Sequence, residues 1–526
     1  MRASEIRKLN QSGINTTVTI ETCNGRQKRF NLTSPPMLSF WASCLCILAG
    51  YLLLTGIERG NYILRTVSLG TLVLLALSLH LLTRNVLRDP FHPDILLTVG
   101  HLAQFVIPSL IFGTGFFDDI LYFHTKQVRS FFPEMLLAVL IAQTAFNLPF
   151  SIKPPRERGL STNNCRKLPL FIVLLSLCVW FSRAVILATN SYYYHASNFM
   201  KYSSFFSPVA VLSFLGRIIT AYASLRFFEG KRVRNKILPA IYLILEIGWH
   251  LSSGKREGLL ITLLCIIFVY FFVRKKIPIG YVLCFLFVLF VGSVFMNYYR
   301  DVFLTASSVD KVSVIDASKK ALHEQKKIST KQALNIVLDR LHDGQFAAGC
   351  FISAPKYVPF QNGKTYKMIL WIPVPSFLYH KRPKFMINYN ELISKESVPP
   401  DTDNPRDKEV LEYSPITRHP GQEGSAPITT VGEAYINFGW LGIAPVFLVL
   451  GFIYRLVDQL FTLHLSRVNA AILIFFCLLI VRIQVDPAVS HLSWILKILI
   501  ILVISHFFES WIGRKTRQTS SLKSIY

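Results

Sequence analysis

The sequence predicts an all-α, polytopic helical membrane protein with about twelve transmembrane helices and one large external loop. Three observations support this. Of the 526 residues, 52% are hydrophobic and only 16% charged, and the mean hydropathy is +0.42, outside the range of soluble globular chains. Apolar runs long enough to cross a bilayer recur along the chain. Lys and Arg gather on alternate short loops.

The net charge of +26 raises a nucleic-acid reading, which requires basic residues on one face of a soluble domain. Here they are scattered through short loops, so topology accounts for them.

The first segment, 1–37, is polar and basic, with no short apolar run before a small-residue cleavage site; no cleavable signal peptide is expected. Apolar segments then follow near 38–56, 63–82, 95–117, 132–150, 168–188, 205–228, 237–252, 258–273 and 278–297. Residues 298–427 are too hydrophilic to cross and too long for a simple connection, and long insertions of this kind tend to hold function. Three further segments lie near 428–454, 469–485 and 492–510, before a tail at 511–526. The division is therefore a first membrane block at 38–297, the large loop at 298–427, a second block at 428–510 and two terminal segments.

Cytoplasmic loops hold the excess of Lys and Arg. With the amino terminus inside, the inner loops receive Arg84 and Arg88, five cations in 153–167, Lys231 to Lys236, Arg274 to Lys276, Arg455 and Arg467. The short outer loops hold Arg59, Lys126, Arg129, Lys201, Lys255 and Arg256. Both termini are thus expected in the cytoplasm and the large loop outside. Within that loop, Ser329-Thr330-Lys331-Gln332 has capping-box form, and Leu334, Ile336, Val337 and Leu341 recur at helical spacing. A helix over about 330–342, ended at Gly344, is expected.

Of the nine cysteines, only Cys350 lies in the large loop. No disulfide framework can form there, and no CxxC or Cys/His pattern suggests a metal. Charged groups inside spans mark pathways or sites. Arg183, Arg482, Lys497, Glu134, Glu246 and Glu433 fall in the outer half of their segments and Arg217 near the middle. A polar cavity open to the outer side, including Arg217, Glu246 and Arg482, follows. Snorkelling or mutual pairing is the other account, for Lys497 and Glu134 above all.

Four stretches stand out. One is the turn Ser252 to Gly258, whose Lys255 and Arg256 break the outer-loop charge rule; an anionic ligand such as a diphosphate supplies a reason, since Arg offers a planar fork of donors. A solvated turn meeting lipid headgroups is the alternative. The others are Arg340-Leu341-His342-Asp343-Gly344, then Gly363-Lys364-Thr365-Tyr366 leading to Trp371 through Pro383, and Thr429 to Gly442 with Gly432-Glu433-Ala434-Tyr435-Ile436-Asn437-Phe438-Gly439.

In this order and spacing the four stretches resemble the bacterial O-antigen polymerase (Wzy-type) family of oligosaccharide repeat-unit polymerases, over roughly residues 250–455. The chain departs from that pattern where Ser376 stands for the usual Arg, Tyr379 and His380 replace Trp-Pro, and Arg382 replaces Lys. The resemblance implies a glycosyltransferase at the outer face of the bacterial cytoplasmic (inner) membrane. It would move glycan between undecaprenyl-diphosphate carriers, with no nucleotide sugar, metal or cofactor. Its partners would be lipid-linked oligosaccharides and membrane lipids, a chain-length regulator and a flippase, and no nucleic acid.

Such chemistry needs the developing diphosphate charge stabilised and the acceptor hydroxyl deprotonated. Arg256, Arg340 and Arg382, supported by Lys255 and Lys381, are the candidate diphosphate ligands. Glu433 is the first candidate base, followed by Asp343 and His419; Glu433 as a structural acceptor for Arg256 or Arg482 is the competing role. A lipid-linked glycan flippase predicts paired repeats, and none stands out. An O-antigen-ligase-type transferase stays open.

Overall fold

The computed structural model describes residues 17–21, 27–31, 34–58, 60–84, 91–113, 129–152, 170–188, 212–252, 256–274, scattered positions from 280 to 299, 314–327, 329, 333, 344–355, 359–371, 429–460, 467–483 and 488–523. The described membrane-length elements are helical, as the class requires. One addition was not read from the sequence: a small antiparallel hairpin ahead of the first span, β1 (Thr17–Glu21) on β2 (Gln27–Asn31), with Thr17 opposite Asn31.

The helices are α1 (Pro35–Gly56), α2 (Tyr62–Thr83), α3 (Pro93–Gly113), α4 (Phe132–Ile152), α5 (Leu170–Ala188), α6 (Gly216–Glu229), α7 (Arg234–Ser252), α8 (Arg256–Arg274), α9 (Val314–Lys326) and α10 (Gly344–Ser353). After a 3-10 turn at Tyr366–Trp371 come α11 (Thr430–Phe438), α12 (Trp440–Leu460), α13 (Arg467–Leu478) and α14 (Ala488–Lys523). Among the described residues, α1 to α4 and α12 are long and apolar enough to cross a membrane, and 171–186, 258–274, 467–478 and 491–505 are shorter apolar helical stretches. α6 and α7 fall in neither group.

One boundary is corrected. The segment expected as one span at 428–454 is two helices broken at Gly439, whose φ of 61° is open to glycine. A helix not expected from the sequence begins at Gly344, and its Ala347 to Ile352 stretch lies against α4 and α11. The last helix runs on to Lys523, so the segment expected as a tail from 511 begins as helix, through Lys, Arg and Gln residues that favour it. Residues 334–343, where most of the expected loop helix lies, fall outside the described residues.

The core is built on α4, buried along most of its length and packed chiefly against α12. Gly451 allows the close approach: a Cβ there would sit 2.4 Å from the Phe146 carbonyl oxygen. Gln143 forms a polar ladder between α3 and α4, donating to Thr98 Oγ1 (2.9 Å) and Asn147 Oδ1 (2.9 Å) and pairing with His101 Nδ1 (2.7 Å).

The two ends of this bundle differ. At one end the starts of α2 and α4 are joined by the Arg65–Glu134 pair (3.0 Å), so Glu134 is a structural partner, and α10, α11 and the start of α12 pack there through Phe351, Tyr435 and Trp440. At the other, Arg84 meets Asp94 at 2.8 Å and donates to the Phe150 carbonyl, Asp94 contacts His92, and His92 meets Asp458 at 3.5 Å. The described pieces of the large loop thus gather opposite the end where the basic loops begin.

Replacing Gly451 with Ala must push α12 off α4. We expect a loss of about 1–3 kcal/mol, read as a lower melting temperature of the purified protein. Gly248→Ala, with nothing within 4 Å of its added carbon, is the control and should be neutral or mildly stabilising.

Candidate functional site

The fourth motif folds as a short capped helix. The Thr429 hydroxyl accepts from the Gly432 N–H at 3.0 Å, the N-cap role its residue type favours, and Glu433 falls in the first turn. Gly432 lies against Cys350 of α10, where a Cβ would sit 2.7 Å from the sulfur. Phe351 stacks on Tyr435 with centroids 3.9 Å apart.

The third motif docks on the far end of this helix. The Gln361 N–H donates to the Ile436 carbonyl (3.0 Å) and the Asn362 N–H to the Asn437 carbonyl (2.9 Å). The chain turns there through positive φ at Asn362 and Gly363. Asn437 Nδ2 donates to Thr365 Oγ1 (2.7 Å) and to the Glu433 carbonyl (2.9 Å). Tyr366 stacks on Phe438 with centroids 5.9 Å apart and planes 10° apart.

Glu433 is enclosed by these elements and lies outside the spanning helices. Its Oε2 accepts from the Val489 N–H, at the start of α14, at 3.3 Å. Burial pushes its carboxyl up to about 7, partly opposed by the Thr365 hydroxyl and the first N–H groups of α14. A carboxyl titrating near neutrality suits a general base or acid. The Tyr366 phenol is pushed well above its ordinary range by burial and by the nearby Glu433.

Cations gather further along α14. Phe214, just before α6, packs on Trp494 at 3.9 Å. Arg217 sits 3.8 Å and Arg482 5.5 Å from the Phe214 centroid, and Lys497 4.5 Å from that of Trp494. Val489 and Trp494 are five residues apart, about 8 Å along the helix, so α14 joins the carboxyl to this cluster.

Among the expected cavity residues, Arg217 and Arg482 are brought onto one ring. Glu246 lies beside Gly216, the residue before Arg217, where a Cβ would sit 3.2 Å from its Oε1. It forms a fully buried bidentate pair with Arg183 at 2.6 and 2.7 Å, between Trp180 and Trp249, with His250 and Tyr242 at its oxygens. Arg256 is the first residue of α8, and its side chain lies outside the described residues. So do Lys255, Arg340, Asp343, Lys381, Arg382 and His419. Sequence reasoning assigned no site role to Phe214, Trp494, Thr365, Tyr366 or Asn437, although the last three stand inside the motifs it singled out. Among the described residues no group of three His, Cys, Asp or Glu could hold a metal ion.

Residues 424–515 match the family of the O-antigen polysaccharide polymerase Wzy. The matched segment comprises α11, α12, α13 and most of α14, and so holds Glu433, Asn437, Arg482 and Lys497. It agrees with the resemblance drawn from the sequence. No curated protein and no solved structure matches the chain.

Two outcomes are expected. Because the folded Glu433 keeps a proton that the unfolded chain loses above about 4.5, its presence lowers stability as pH rises from about 4.5 to 7, and the effect is flat beyond. Melting curves from pH 5 to 8 should therefore show Glu433→Gln gaining on the wild type across that window, by on the order of 3 kcal/mol in total. Glu246→Leu, which strands the buried Arg183 charge, should cost about 3–5 kcal/mol, and adding Arg183→Leu should recover much of it.

Proposed function

We propose that this chain polymerises undecaprenyl-diphosphate-linked oligosaccharide repeat units into a surface polysaccharide, by glycosyl transfer at the outer face of the bacterial cytoplasmic membrane. The observation that supports this most is Glu433: a buried carboxyl titrating near 7, enclosed by the third and fourth motifs and inside the Wzy-matched segment.

In this reading both termini face the cytoplasm, and the large loop and the α10–α11 end face outward. The lipid-linked acceptor brings a sugar hydroxyl to Glu433, which takes its proton as the hydroxyl oxygen attacks the anomeric carbon of the donor glycan. The bond from that carbon to the donor's diphosphate breaks, and the carrier diphosphate leaves. Arg256, Arg340 and Arg382, with Lys255 and Lys381, hold the diphosphates. Arg217 and Arg482 extend that positive field beside α14. The Arg183–Glu246 pair holds α5 against α7. No cofactor is assigned, and partners are carrier-linked oligosaccharides, a flippase and a chain-length regulator.

Deleting the gene should collapse the cell's surface-glycan ladder to single repeat units. Glu433→Gln, expressed at the wild-type level, should leave it collapsed, while Arg256→Ala and Arg482→Ala should each reduce polymer about a hundredfold. Full-length polymer accumulating on the carrier would point to a ligase instead, and repeat units trapped on the inner leaflet to transport.

A further inference from the structure

Three buried oxygens at the junction of the two docked motifs have no hydrogen-bond partner among the described residues: Glu433 Oε1, Asn437 Oδ1 and the Tyr366 hydroxyl. Each belongs to a side chain held from another point. The Glu433 carboxyl is held at Oε2 by the Val489 N–H. Both amide hydrogens of Asn437 are engaged, by Thr365 Oγ1 and the Glu433 carbonyl, which fixes the amide plane and leaves Oδ1 presented. The Tyr366 ring is stacked on Phe438.

Burying a polar oxygen without a partner is costly, and three on the adjoining side chains of two docked motifs call for a shared explanation. Asn437 Oδ1 is an acceptor only, and so is Glu433 Oε1 once its carboxyl is ionised, the form a general base requires. A ligand that satisfies them must bring two closely spaced donors and an oxygen for the tyrosine hydroxyl. Neighbouring hydroxyls of a sugar ring do this, because each is donor and acceptor at once.

We propose that Glu433, Asn437 and Tyr366 form the subsite for the acceptor's terminal sugar. Glu433 Oε1 receives the attacking hydroxyl, and Asn437 Oδ1 and the Tyr366 hydroxyl engage its neighbours and set which hydroxyl is attacked. This rests on the polymerase reading of Glu433. It adds two binding residues and a substrate class, a sugar with adjacent free hydroxyls.

Tyr366→Phe is the clean probe, since it keeps the stacked ring and removes one oxygen. The test uses the full-length protein in nanodiscs and single-repeat carrier lipid extracted from the deletion strain, varied as acceptor. The variant should raise the acceptor KM on the order of tenfold with little change in kcat. Without lipid it should melt at the wild-type temperature or above, since an unpartnered buried hydroxyl has been removed. An unchanged KM, or a lowered melting temperature with an unchanged KM, would overturn the subsite. So would magnesium or calcium ions that stabilise the wild type and not Tyr366→Phe, because the three oxygens would then be holding a metal.

Glu433→Gln in the same assay separates the two ideas. If it keeps full kcat, the base assignment fails and the Tyr366 result still judges sugar binding. If it is inactive while Tyr366→Phe is indistinguishable from wild type, the base stands and the subsite falls.

Discussion

A helix that stops inside packed protein must find donors for its last carbonyl groups, and α11 stops at Phe438 with α12 beginning two residues later. The donors come from residues 361 and 362, some seventy-five positions earlier in the chain. Much else follows from that one docking. It sets Thr365 where it can hold the Asn437 amide, puts Tyr366 on Phe438, and closes the chamber in which Glu433 is buried. The positive φ at Gly439 then lets the chain restart as α12 in a new direction.

The electrostatic layout is ordered along α14. Its first N–H groups face the Glu433 carboxyl, and one and a half turns on, Trp494 and Phe214 seat Arg217, Arg482 and Lys497. A helix amino terminus favours negative charge, while aromatic faces receive cations without neutralising them. The Glu433 carboxyl and these aromatic-seated cations are thus set at two places along one helix, and burial raises the proton affinity of Glu433. Glu246, at the same kind of depth in sequence, has the opposite fate, because Arg183 grips both of its oxygens.

The helical class was legible because it depends on summed apolar character, which the sequence states directly. The break at Gly439 was not, because hydropathy runs on across it and a single glycine's φ depends on what docks nearby. The motifs at 363–366 and 432–439 were visible as motifs, and Glu433 as a candidate, but their contact needs the path of the intervening loop. The partners of Arg217 and Glu246 depend on how each helix is rotated about its axis; α6 and α7 each present several faces that hydropathy alone ranks about equally. The strand pairing at 17–31 had a signal that the helical reading of the chain passed over: Thr17-Val18-Thr19-Ile20-Glu21 alternates polar and apolar residues, and Asn24-Gly25 stands between the two strands.

The packing of α4 against α12 also sets an order of events at the ribosome. The two helices are separated by 287 residues, which at about 5–20 residues per second is roughly fifteen to sixty seconds of translation. For that time α4 has been made and its main partner has not. The Gln143 ladder to Thr98 and His101 is available at once, because α3 precedes α4. It gives the waiting helix a polar companion in the bilayer and hides its amide and carbonyl side chains from lipid until Gly451 arrives.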